Sequence, residues 1–599
     1  MSLLLMLVVN SSFAQPKDND TKLADHYFSK GEFEKAEDYY KSAYKKYKHS
    51  VYFEKYYLCL FYQKKYDEAE KLTERKYKKD PFDVNAAFML AQVYEETDRQ
   101  PEADQVYAEL IDDLAPIQSR ITALGKEFKV RGKYEFALLT YEKGRKLIKR
   151  GYQFQLELAE TYSLLDRPAE MIQEYLNLLE YSQVYVKTVQ TYLSRVIDFE
   201  EDVQMVDMLK TELLTRVQKN PEKDYYAEML IWFYVHKKEY TGAVIQAKAL
   251  DKRNNYKGKR LYDIGEVCES NEAYKEALKA YQYIIDMGAD SPFYTRATER
   301  SLSLGFDQIT RQKSYTKTDL TNVAQSFETA LLNLGKKPAT IGIMKQLAEI
   351  YAFYINDPLK AEALVKEAIS LPVNQNERAE LKILLGDIYI VDNKIWDASL
   401  LYMQVEKEFS EDVIGHEAKY KNARVFYYDG EFEYAKAQLD VLKASTSKLI
   451  ANDAMQLSLL LQDNLGIDTT MAPVQLYANA DLLLQQNKFS EALEMLDSLE
   501  KEYPFHSIVD EVLFKKAEIY EEQQDWTKAI ELYNVVIDSY AHDILADDAA
   551  FRVAKIYELK LDEKDKAAEY YRKILFDFKG SLYDAEARKK FRNLKAEFN

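Results

Sequence analysis

The side chains that could do chemistry are few and widely spaced. Six histidines, His26, His49, His236, His416, His506 and His542, include no HExxH and no close pair, the spacing that puts two zinc ligands on one helix face. Cys59 and Cys268 stand 209 positions apart in apolar stretches, the setting of packed thiols, so neither a disulfide nor a redox pair is expected. No two glycines stand two apart, which removes the dinucleotide-binding GxGxxG. Gly125, Gly132, Gly258 and Gly335, each followed by lysine, lack the earlier glycine that a phosphate-cradling loop needs. There is no GxSxG nucleophile elbow. Carboxylate pairs such as Glu521-Glu522 are common, but on amphipathic helical patterns they form solvated faces. No catalytic, cofactor-binding or metal-ligating residue is assigned, and the chain is read as a non-enzyme.

One stretch invites a nucleic-acid reading. Residues 41–79 hold twelve Lys or Arg against five acids, interleaved with tyrosines from Tyr44 to Tyr77, and aromatics among cations can stack bases. Across the whole chain, however, 82 Lys and Arg meet 100 Asp and Glu, a formal charge of -18 that opposes attraction to phosphate backbones. The tyrosines also fit a helical repeat, so the lysines read as exposed faces between packed rings, and no nucleic-acid partner is expected.

The elements that must position these residues are helices. Only 17 glycines and 12 prolines serve 599 residues, too few turn-formers for several compact folds of mixed type. A small residue followed twelve positions later by alanine recurs as Ala24/Ala36, Ala91/Ala103, Gly125/Ala137, Gly265/Ala277, Gly386/Ala398, Ala423/Ala435, Ala480/Ala492 and Ala517/Ala529. Ala348/Ala361 and Ala554/Ala567 stretch the gap by one; Ala69 and Ala243 continue the series of second-helix anchors. Aromatics lie one helical turn beyond both members, as Tyr27 and Tyr40 or Tyr389 and Tyr402. This spacing predicts antiparallel helix pairs whose backbones approach at the small residues. Gly31, Gly132, Gly430 and Asn487 supply the left-handed turn between them. Pro101, Pro168 and Pro358 are placed in that same turn, and Pro81, Pro116, Pro221, Pro372 and Pro504 just past the second helix.

These residues resemble the tetratricopeptide repeat, a small residue, aromatic, glycine turn, alanine, aromatic and proline in about 34 positions. Anchors 36, 69, 103, 137 and 171 are spaced by 33 or 34, and 243 to 277 by 34. From 361 the spacing becomes 37 or 38, through 398 and 435 and, after an interval of 57, through 492, 529 and 567, so the additional residues are assigned to an extended second helix or a longer exit. That longer form is similar to repeats of cell-envelope proteins. The resemblance implies an all-α, right-handed superhelical α-solenoid whose first helices line a concave groove. Carried to this sequence, the groove positions are Phe88, Glu95, Tyr262, Glu266, Tyr420, Tyr427, Phe514, Glu518, Glu521 and Phe551, with Asp25, Glu160, Glu269 and Asp387 adding carboxylates. An acidic, aromatic groove suits a basic or amphipathic protein or peptide partner.

The organisation expected is a signal peptide over 1–14, a 34-residue array over 16–180, degenerate repeats over 181–345 and a 37-residue array over 346–445. An extra helix with a hinge loop follows over 446–475, then a terminal array with an end helix over 476–599. The apolar run Leu3 to Val9 before Ser12-Phe13-Ala14 is the basis for export and cleavage after Ala14. No later apolar run is long enough to span a bilayer, so the mature chain is read as having no integral membrane segment and as able to join envelope complexes peripherally. The function expected is a non-catalytic interaction scaffold in the periplasm. A regulatory array of a signalling system is the second reading, and a glycan-binding protein the third.

Overall fold

A computed structural model of the chain describes residues 19–311, 315–443, 448–465 and 470–597. Among the described residues the regular structure is helical, with no strand. The segment assigned as a signal peptide lies outside them. The chain divides into two compact units after Asn255. The division falls where Asn255, Lys257 and Gly258 all take positive φ, a backbone that no helix continues. It coincides with none of the boundaries that the change of repeat spacing suggested.

Each unit is a stack of helix pairs. In the first, Val84–Glu96 pairs with Gln100–Asp112 and Gln118–Val130 with Tyr134–Leu147, and the pattern runs from Asn19–Ser29 to Tyr240–Asn254. In the second, Gln375–Val391 pairs with Ile395–Glu408, Val413–Asp429 with Phe432–Leu442, and Val509–Glu522 with Trp526–Ser539. The stretches without clean anchors are helical too, over Val186–Val196, Val203–Lys219, Tyr294–Arg311 and Lys317–Leu334.

The small anchors are where the backbones meet. Ala36, Ala69, Ala103, Ala137, Ala243, Ala277, Ala361, Ala398, Ala435, Ala492, Ala529 and Ala567 are all 0% exposed. The tyrosine one turn past the anchor covers the small residue of the first helix. An added Cβ at Gly386 would stand 2.5 Å from the Tyr402 ring, and one at Gly125 2.3 Å from Tyr141. Two pairs exchange these volumes. Tyr57 stands twelve residues before Ala69, and the small, fully buried Thr73 takes the usual aromatic position; Ile231 and Ala247 do the same around Ala243. The summed volume is kept, as close packing demands.

The turns close by one geometry. The N–H of the second helix's N-cap donates to a carbonyl five residues back, as Lys65 to Leu60 at 2.9 Å, Arg99 to Tyr94 at 2.8 Å and Lys394 to Tyr389 at 2.8 Å. Where the anchor gap is one longer, the bond reaches six back, from Asp357 to Tyr351 and from Glu563 to Tyr557. At the first of these a π-turn over Ile350–Ile355 absorbs the extra residue. Pro101, Pro168 and Pro358 belong to the opening of the second helix rather than the turn, where the missing N–H has no partner to lose. In the 37-residue repeats the second helix does not lengthen, with 14 residues in Phe489–Glu502 and Trp526–Ser539 and 11 in Phe432–Leu442, and in the first two the added residues lie in the exit that starts at Tyr503 or Tyr540.

Candidate binding surface

The carboxylates assigned to the groove are mostly engaged by the chain itself. A buried tyrosine of the second helix donates its hydroxyl to a carboxylate of the first. Tyr40 bonds Asp25 at 2.6 Å, Tyr402 bonds Asp387 at 2.7 Å, Tyr107 bonds Glu95 at 3.2 Å, Tyr533 bonds Glu521 at 2.9 Å and Tyr571 bonds Glu558 at 2.6 Å. Each acceptor lies one or four residues past the small anchor, the two positions that face the partner helix. Burial, reinforced by the adjacent carboxylate, raises these hydroxyls far above their ordinary range, so they stay protonated donors.

A second set of bonds joins neighbouring pairs. The carboxylate of one first helix meets a cation one repeat on or back: Glu160 with Lys129 at 2.7 Å, Asp387 with Lys421 at 2.9 Å, Glu518 with Arg552 at 3.1 Å and Glu558 with Lys590 at 2.7 Å. Glu269 meets Arg300 in the same way. On the second helices the acid one past the anchor meets the cation opening the next second helix. Glu37 bonds Lys65 at 2.8 Å, Glu362 bonds Lys394 at 3.0 Å, and Glu70 takes both arms of Arg99 at 3.0 Å each.

The candidate residues therefore separate. Phe88, Tyr427 and Phe551 are core, with Phe88 packed between Tyr107 and Phe128 and Phe551 stacked on Tyr583 at 4.1 Å. Glu95 is held by Lys133 at 2.5 Å as well as by Tyr107. Tyr262 stacks on Phe293 at 5.5 Å, half-buried, while Glu266 is exposed. Phe514 is half-buried against Tyr533, beside Glu518 and Glu521, which share Arg552. Glu518 also receives Lys515 at 2.8 Å.

Tyr420 and Tyr427 belong to a different arrangement, which sequence reading missed. Lys448–Leu465 is a helix without a partner of its own kind, and beyond it Ala472–Gln485 lies against Gln375–Val391 and Val413–Asp429 as well as against its own pair, Phe489–Glu502. Gln486 donates to the carbonyl of Ile390 at 3.3 Å and to Asn393 at 3.2 Å, Asn487 to the carbonyl of Phe353 at 2.9 Å, and Gln475 to the carbonyl of Tyr428 at 3.0 Å. Arg424 bridges the Tyr428 hydroxyl and Asp481. A cavity of about 160 Å³ remains there, walled by Asp387, Lys421, Arg424 and Tyr428 among others. First-helix surface of two repeats is thus covered by a later first helix. The only sequence signal was the 57-residue interval between Ala435 and Ala492.

Most cations of the basic stretch are exposed, between rings that are packed. Tyr52, Tyr56 and Tyr57 are buried, Lys55 lies over the Phe28 ring at 4.3 Å and Lys41 over Tyr56 at 5.8 Å. Cys59 and Cys268 are buried free thiols whose pKa burial pushes up to about 12, which makes them poor nucleophiles. No helix among the described residues is long and apolar enough to cross a membrane.

The family profile described as tetratricopeptide repeat matches residues 60–116 and 477–544. No curated protein matches the chain. Two solved structures align over nearly the full length. One, of Naa15/Naa10 bound to HypK-THB, has 15% identity and a TM-score of 0.24, covering 97% of this chain and 96% of that one. The other, the crystal structure of yeast Tom70, has 14% identity and a TM-score of 0.28, covering 93% and 96%. Such scores carry no inference about this chain's shape or partners. The profile matches one region of each unit, and the anchors, ring contacts and turn geometry repeat around and between them; the chain carries tetratricopeptide repeats.

Proposed function

We propose that this protein is a non-catalytic interaction scaffold of the cell envelope that holds a basic or amphipathic partner segment on exposed first-helix surface. The observation that carries the reading is the Glu518, Glu521 and Arg552 network beside Phe514 on Val509–Glu522 and Ala546–Leu559. These ion pairs are solvent-accessible, with Arg552 44% exposed, and such pairs contribute only about 0 to 1 kcal/mol. A partner's lysine or arginine can replace Arg552 at small cost and gain the neighbouring aromatic edge. Export rests on the N-terminal Leu3 to Ala14 pattern.

The test is cross-linking of the full-length protein in its native host, wild type against Glu518→Lys/Glu521→Lys, with partners identified by mass spectrometry. Envelope proteins recovered with wild type and lost with the variant support the reading. A kinase or transcription factor would favour the regulatory array, and carbohydrate retention without protein would favour glycan binding. The mature chain should begin at Gln15; an intact Met1 would remove the export claim.

A further inference from the structure

The solvent face of many second helices carries charge two before or two after the anchor, as Glu34, Asp67 and Glu135 or Asp38, Lys71 and Glu531, whereas others carry a single exposed apolar side chain there, as Leu139, Ile245 and Leu359. On Ile395–Glu408 the corresponding residues are Trp396 and Leu400, and Met403 follows at the next turn. They are 47%, 56% and 41% exposed and share one face by their i, i+4, i+7 spacing. The next second helix, Phe432–Leu442, adds Tyr434, Ala437 and Val441 at i, i+3, i+7, all exposed. The Phe426 ring lies 5.5 Å from Trp396 and 4.4 Å from Tyr434, which joins the two stripes at the turn end. Two apolar stripes on successive second helices, bridged at one end by the Phe426 ring, have the form that receives one helix.

The rim specifies its charge. At the aromatic end Asp397, Asp429, Glu431 and Glu433 are exposed and take part in no ion pair among the described residues. At the far end Lys443 and Lys436 are both spent on Asp440. We infer that the outer face formed by Ile395–Glu408 and Phe432–Leu442 is a second docking surface, for an amphipathic partner helix whose apolar stripe lies between the two rows and whose cationic end meets the four free carboxylates. This surface is on the second helices and is independent of the first-helix reading above.

The probe is a fluorescein-labelled peptide of about five helical turns, with leucines at i, i+3, i+4 and i+7 and lysines elsewhere, beside a twin carrying glutamate for lysine. Fluorescence anisotropy with the full chain should show the lysine peptide bound more tightly than its twin. Leu400→Asp should weaken it at least about tenfold, the scale of a central interface residue. Glu431→Lys/Glu433→Lys, which leaves the stripe intact, should weaken it too, most at low salt. Glu518→Lys/Glu521→Lys should leave it unchanged, so failure here and failure of the first-helix reading are distinguishable. Equal binding to wild type and Leu400→Asp, or preference for the glutamate twin, would overturn the assignment. So would concentration-dependent dimerisation, or binding to phosphatidylcholine vesicles, abolished by Leu400→Asp, since the occupant would then be a second copy or a lipid surface. Circular dichroism of each variant controls for folding; Leu400, Glu431 and Glu433 are exposed, and Glu518 and Glu521 are half-buried.

Discussion

At the scale of the residue, the tyrosines are hinges between packing and polarity. Tyr402 covers Gly386 with its ring and hands its hydroxyl to Asp387, so one side chain fills the crossing and satisfies its own buried donor. Gly386→Ala would place a methyl against that ring and should destabilise the protein by about 1 to 3 kcal/mol. Gly305, also within a helix, has open space where a Cβ would go, and Gly305→Ala should stabilise by about 0.4 to 1 kcal/mol. Urea denaturation of both variants checks the opposite signs. Glu511 makes a pH prediction. It is buried, and burial first, then its hydrogen bond with Asp510, pushes its carboxyl up to about 9. Asn464 of Lys448–Leu465 and Tyr477 of Ala472–Gln485 face it. The folded chain keeps a proton that the unfolded chain, titrating near 4.5, releases. Stability from this group is therefore full below that value and is lost as pH rises through 9. Glu511→Gln should flatten the fall in stability across about pH 6 to 9; an unchanged slope would reassign it.

At the scale of the element, the shared feature is a turn that needs one left-handed residue. Gly31, Gly132 and Gly430 meet that need as their sequence suggested, but Lys64, Lys238, Glu272 and Gln524 stand at the same place with φ from 58° to 60°. A side chain there is strained by roughly 1 kcal/mol, and the turn holds because the helices on both sides fix it. Lys238→Gly and Gln524→Gly should each raise stability by up to about 1 kcal/mol, read as a higher midpoint in thermal unfolding. The ion-pair ladders belong to this scale as well. Arg99 lies over Tyr94 at 4.2 Å while both its arms grip Glu70 in the preceding repeat, so it ties two pairs through packing and charge together. Gln486 ties elements far apart in sequence. Gln486→Ala removes one donor from the Ile390 carbonyl, which keeps the Asn393 N–H, and should cost about 0.5 to 1.5 kcal/mol, with faster amide exchange in Ala472–Gln485.

At the scale of the whole molecule, stacked pairs bury their apolar faces mainly against neighbours, so stability is local and the division after Asn255 matters. Residues 19–255 made alone should remain helical and unfold cooperatively. A molten product, with helical far-ultraviolet dichroism but no cooperative transition, would show that this unit depends on the rest. The sequence by itself determined the pairs, their anchors and the family, because a period of 34 with buried small residues has one economical solution. Residues such as Ala36 and Ala529 were legible since local spacing alone puts them at a crossing. The swapped pairs Tyr57/Thr73 and Ile231/Ala247 were illegible, because volume is conserved between two positions and a signature reads each separately. Offsets from the anchor gave which face Phe88, Tyr427 and Glu95 occupy; whether each meets solvent, a tyrosine hydroxyl or another helix was left open. Only the tertiary structure decided that Ala472–Gln485 turns back onto earlier first helices, that most groove carboxylates are neutralised from within, and that Trp396, Leu400 and Met403 face outward beside Tyr434. Those outcomes depend on side chains tens of residues apart, whose energies no single repeat contains.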